Sequence, residues 1–127
     1  MSAPVRVVRA GERTPGEPTP GLSREEALVG PGFWSGLVET EPGNVSGWHH
    51  HGDYDTLVYV IAGALRVEAG PDGADVSEAG PDDFMLIPKG VVHREANPGD
   101  DLFTAVVVRV GAGQPVVNVE GPQAASG

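Results

Sequence analysis

The sequence predicts an all-β protein of one domain, an antiparallel barrel of short strands. Three observations lead there. Short β-branched and apolar runs recur between turn residues, with turn signals about every 8 to 12 positions. Helix signals are confined to a single turn. The chain has 127 residues, 39% of them apolar, which suits one packed core. The 19 glycines and 12 prolines fall between the apolar runs, so they read as turn punctuation rather than low complexity.

Taken in order, Val5 to Arg9 is a β-branched run and predicts a first strand. Gly11 to Gly21 holds Pro15, Pro18 and Pro20 and predicts a loop. Ser23-Arg24-Glu25-Glu26 has the pattern of a capping box and predicts one helical turn. Strands are predicted at Phe33 to Glu41, broken by Gly36, and at Val45 to His51, entered through Pro42-Gly43-Asn44. Thr56 to Ile61 is apolar on both faces, as in a strand inside a barrel. Ala64 to Ala69 alternates, Asp75 to Glu78 returns, and Phe84 to Ile87 runs to Pro88. Val91 to Arg94 follows the Pro88-Lys89-Gly90 turn, and Leu102 to Val110 is a long β-branched strand. Val116 to Val119 could add an edge strand before a disordered Gly-Pro-Gln-Ala-Ala-Ser-Gly end. The chain divides into an N-terminal strand and loop segment packing on the barrel (1–32), the barrel (33–111) and a partly disordered tail (112–127).

Composition narrows the function. Eight Lys and Arg against 18 Asp and Glu give a net charge of −10, and the cations are scattered. No phosphate-binding surface is expected, so nucleic acid and anionic membranes are not predicted partners. The absence of cysteine excludes disulfides and thiolate metal sites. Met1 to Ala10 lacks the apolar core of a signal peptide, and no stretch nears the roughly 20 apolar residues of a membrane span. The expectation is a cytoplasmic protein acting on a small molecule.

The four histidines fall in two places: His49, His50 and His51 together, and His93. Strand alternation puts His49 and His51 on one face and His50 on the other. Two imidazoles at i and i+2 can chelate a divalent ion. A chance run of histidines is the competing reading, and spacing alone leaves both open.

Gly43, five residues, His49, one residue, His51 and then Gly63 resemble the first cupin motif. Pro88-x-Gly90-x-x-His93-x-x-x-Asn97 resembles the second. The resemblance implies a small single-domain cupin with a double-stranded β-helix (jelly-roll) barrel and a metal on His49, His51 and His93. It implies a divalent transition metal, Fe(II) first, with Ni, Mn, Zn, Cu or Co as alternatives. Two positions depart from the motifs. Thr56 stands where the family has its Glu ligand, and Asp82 where the second motif has its leading glycine. Asp82 can form the same turn. A threonine hydroxyl is a poor ligand, and Asp55 or Asp53 would have to swing in to replace it.

Three-histidine sites of this family imply a dioxygenase. The alternatives are a metal-dependent isomerase, cyclase or lyase, a non-catalytic small-molecule-binding cupin, or a metal-free cupin using a histidine as base. Arg66, Lys89, Arg94 and Arg109 are candidates to hold a substrate carboxylate, with a solvated strand face the favoured reading for each. Phe33, Trp34, Trp48, Tyr59, Phe84 and Met85 read as core before they read as lining of a cup. Leu57, Tyr59 and Ile61 form a second apolar face that predicts a homodimer. Metal binding is expected to weaken as pH falls through about 6.5, since imidazole ligands must be neutral.

Overall fold

The computed structural model describes residues 3–124. Their strands form two antiparallel sheets packed as a jelly roll. The first sheet contains β1 (Thr14–Pro15), β2 (Ser23–Gly30), β3 (Phe33–Thr40), β5 (Asp53–Ala62), β8 (Phe84–Ile87) and β10 (Phe103–Ala112). Its order is β1-β2-β3-β10-β5-β8. The second contains β4 (His49–His50), β6 (Leu65–Ala69), β7 (Asp75–Ala79), β9 (His93–Ala96) and β11 (Val117–Asn118), in the order β11-β4-β9-β6-β7. No described helix is long and apolar enough to cross a membrane.

The core lies between the sheets. Alternation along β3, β5 and β10 sends Trp34, Val38, Val58, Val60, Phe103, Ala105 and Val107 inward. Leu65 and Val67 answer from β6, and Ile87 from β8. The strand β10 lies between β3 and β5, with Ala105 opposite both Val38 and Val60.

Tight turns fix the register. Gly63 sits at φ +81°, and a Cβ there would lie 2.6 Å from the Leu102 carbonyl oxygen. Asp82 adopts φ +71°, the conformation a glycine would take, so the departure from the second motif leaves the turn intact. Its N–H donates to the Val60 carbonyl, and its carboxylate accepts the Tyr59 hydroxyl. The Asn97 amide donates to the carbonyls of Thr40 and Asp101 at 2.9 and 2.7 Å, pinning the turn before β10.

Several expectations are corrected. Val5 to Arg9 forms no strand: Val5 is 95% exposed, and β-branching without a partner strand does not make a ladder. Ala10–Glu12 is a 3-10 turn instead. Ser23 to Glu26 is not helical but opens β2, paired with Glu39 to Gly36 of β3. Of Val45 to His51, only His49–His50 is strand, with Val45 making an isolated bridge to Ala96. Phe84 is not core: it is 79% exposed and stacks on Tyr59. Val116 is buried and β11 pairs with β4, giving the edge strand that Val116 to Val119 suggested. The expectation of disorder at residues 125–127 lies outside the described residues.

Candidate metal centre

The site arises where β4 and β9 run side by side, with His49 and His93 as direct cross-strand partners. His51 follows β4 and shares the inward face with His49. All three are buried, at 0%, 3% and 0% exposure for His49, His51 and His93. Their ring centroids lie 4.3 Å (His49–His93), 5.0 Å (His51–His93) and 5.1 Å (His49–His51) apart. One ring nitrogen from each lies within 4.8 Å of the other two. His50 takes no part: its Nδ1 accepts the Gly52 N–H at 3.0 Å.

The second nitrogen of each ring decides what the first can do. Nδ1 of His49 donates to the Gly47 carbonyl at 3.0 Å, that of His51 to Pro115 at 2.8 Å, and that of His93 to Val91 at 2.9 Å. A carbonyl only accepts, so Nδ1 carries the proton in each ring and the Nε2 lone pair is bare. Nε2 of His49 and His93 is buried without a partner. A buried acceptor left alone costs about 1–3 kcal/mol. This donor set fits a divalent transition metal, because backbone carbonyls already hold the rings in the tautomer a ligand needs.

Electrostatics agree. Burial disfavours the imidazolium and lowers His49 to about 4, although Glu95 opposes the shift. Burial lowers His51 and His93 as well, assisted at His51 by the charge of Arg109. The three rings are therefore neutral at pH 7, and the proton competition expected near 6.5 moves to more acidic pH.

Sequence reasoning passed over Glu95. It is 8% exposed, and its Oε2 lies 3.7 Å from His49 Nε2. Ser46 fixes its backbone: the Glu95 N–H donates to Ser46 Oγ, and the Ser46 N–H donates to the Glu95 carbonyl. Burial pushes its carboxyl up, but His49, His93, Arg24 and Arg109 together outweigh this and hold it below the usual range. The signal was present: Glu95 follows His93 by two residues, the same spacing that pairs His49 with His51.

Thr56 points inward as expected, 2% exposed, with its hydroxyl unpartnered. Asp53 and Asp55 are exposed, and Asp55 Oδ1 accepts the Lys89 N–H, which places it outside the site. Arg66 and Arg94 pair with Glu68, and Arg94 also lies over Trp48 at 4.8 Å. Lys89 is exposed. Arg109 departs from the solvated reading: it is 1% exposed and lies over Trp34, which is itself buried.

A family model for the cupin domain matches residues 36–111, more than half of the chain. The chain belongs to the cupin family. Among curated proteins, this cupin is 45% identical over 47 residues to the uncharacterized protein YdbB of Bacillus subtilis (strain 168). That match covers 37% of this chain and 40% of YdbB. Among solved structures, KdgF from Halomonas sp. superposes with TM-score 0.68 at 20% identity, covering 85% of this cupin and 96% of KdgF. An S161A mutant of Bacillus subtilis oxalate decarboxylase OxdC gives TM-score 0.72 at 24% identity, covering 87% of this cupin and 31% of that protein. An uncharacterized double-stranded β-helix protein from Klebsiella pneumoniae gives 0.69 at 22% identity, covering 82% and 90%. At these identities the likeness shows the fold.

Proposed function

We propose that this cupin holds one divalent transition-metal ion on His49, His51 and His93 and acts with it on a small organic molecule. One observation carries the reading: three buried imidazoles, each with Nδ1–H tied to a backbone carbonyl, gather at one point in the barrel. Glu95 supplies the anionic oxygen beside the site that Thr56 cannot. An ion there offers Lewis acidity to an oxygen-donor substrate and, where the metal is redox-active, electron transfer. Fe(II) heads the candidates, and Mn(II) joins it because an oxalate decarboxylase among the solved relatives is described by its Mn(II) centers.

For the reaction, the three-histidine set supports a dioxygenase. A redox-neutral lyase or isomerase is the second reading, favoured by the position of Glu95. Its Oε2 can hold or move a proton beside His49 without a change in metal oxidation state. The metal-free protein is loaded with Fe, Mn, Co, Ni, Cu or Zn in turn and its metal content is measured. One ion per chain is expected, lost in His49→Ala, His51→Ala and His93→Ala and kept in His50→Ala. Failure to load any of the six overturns the reading. Oxygen uptake with candidate substrates then separates the oxygenase from the lyase.

The apolar outer face of β5, β8 and β10 supports a homodimer. Leu57, Phe84, Leu86 and Val106 are exposed there, and together with Tyr59 and Val108 they leave a patch with few polar groups to hydrate. A second copy of the same face is the complementary surface for it.

A further inference from the structure

Two of the eight cationic side chains of this acidic protein turn into the barrel. Arg24 on β2 is 6% exposed, and Arg109 on β10 is 1% exposed. Nη1 of Arg24 donates to the Glu17 carbonyl at 2.8 Å and to Thr19 Oγ1 at 2.7 Å. Its Nε–H and Nη2–H have no partner. Arg109 lies over the Trp34 ring at 4.1 Å, and its Nε–H and Nη1–H are likewise unpartnered. Neither guanidinium forms an ion pair among the described residues.

Both arginines line one cavity of about 270 Å³, walled by Trp34, Pro115 and Val116. Glu17 at its edge is exposed, and Glu26 is engaged by Trp34 Nε1 at 2.7 Å. The cavity adjoins the histidine site. The Pro115 carbonyl accepts the proton of His51 Nδ1, and Arg109 is the cross-strand partner of inward-facing Thr56. The buried Glu95 carboxylate acts on both guanidinium groups, and Glu17 on Arg24. Among the described residues no carboxylate is within ion-pair distance of either, and the four N–H groups stay bare. A guanidinium edge matches the two oxygens of a carboxylate. The cavity is mixed in character, and its Trp34, Pro115 and Val116 side offers contact to the carbon skeleton of an organic acid that inorganic phosphate lacks.

We propose that this cavity is a substrate subsite for a small carboxylic acid, whose carboxylate sits on Arg24 and Arg109 while the remainder extends toward the three histidines. Arg24 and Arg109 are the specificity-determining residues. The assignment rests on the metal reading only for the far end of the ligand.

The test starts from the metal-free full-length protein, following arginine side-chain Nε–H resonances by NMR. Acetate, succinate, inorganic phosphate and neutral acetamide are titrated in separately. Acetate or succinate is expected to shift the Arg24 and Arg109 signals saturably, and acetamide is not. Arg24→Gln and Arg109→Gln should each weaken binding roughly tenfold or more, with Arg→Lys retaining part of it. If the Gln variants do not fold, the wild-type resonances still decide. Unmoved signals, an equal response to acetamide, or a response to phosphate alone overturns the proposal. Repeating the titration on Zn-loaded protein separates the two readings. Carboxylate binding without metal loading sustains the subsite while the metal reading fails. Metal loading without carboxylate binding does the reverse.

Discussion

The low proton affinity of His49 has a thermodynamic consequence beyond ligation. Unfolded, this histidine takes up a proton as pH falls below about 6.5. Folded, burial delays that to about 4. Between these values the unfolded state binds more protons, so stability declines as pH falls. For His49 alone the loss is about 3 kcal/mol at the acid end of the window. His51 and His93 shift in the same direction and steepen the decline. Urea unfolding of metal-free protein at pH 7.5, 6.0 and 4.5 is expected to show it, and flat stability across this range would contradict a neutral buried triad. The histidines were legible because alternation acts locally, between residues two apart. The same rule could have reached Arg109, in phase with Phe103, Ala105 and Val107 on β10. From the sequence Arg109 is a candidate to hold a substrate carboxylate, but the solvent face is the favoured reading because a charged side chain in a strand usually lies there. Here it lies instead over Trp34 on the neighbouring strand.

At the level of elements, the two-residue strand β11 matters more than its length suggests. It pairs with β4, places Val116 in the interior and brings the Pro115 carbonyl to His51 Nδ1. Truncation after Gly113 is therefore expected to lower metal affinity about 10- to 100-fold, the range seen when an outer partner of a ligand histidine is lost. Isothermal titration with Zn checks this, and unchanged affinity would show that the Pro115 carbonyl is dispensable. The strands at Phe33, Thr56, Phe84 and Leu102 were readable from apolar runs between turns. The strand β2 was not. Ser23-Arg24-Glu25-Glu26 carries a local helix-start pattern, whereas its actual partners, Glu39 to Gly36, lie on the neighbouring strand β3. Residues Val5 to Arg9 fail in the opposite way, with strand propensity but no ladder to join.

For the whole molecule, self-association and charge make separate predictions. Leu86, 56% exposed on β8, lies in the apolar patch and away from the histidines. Leu86→Glu is expected to shift sedimentation from dimer to monomer while leaving metal content unchanged. A wild-type protein that sediments as a monomer at high concentration would remove the dimer. The charge distribution has another effect. The formal charge is −10, yet Arg24 and Arg109 are turned inward, so the exterior is poorer in positive charge than the composition implies. An organic anion approaching the proposed subsite must first cross a repulsive field before any attractive group is within reach. Salt shortens the range of that field, to about 8 Å at physiological ionic strength. Stopped-flow association of succinate should therefore speed up as ionic strength rises from low values, the opposite of electrostatic steering, and a falling rate would mean that the entrance is locally cationic. A barrel arranged in this way admits its anion slowly in dilute buffer and faster in saline.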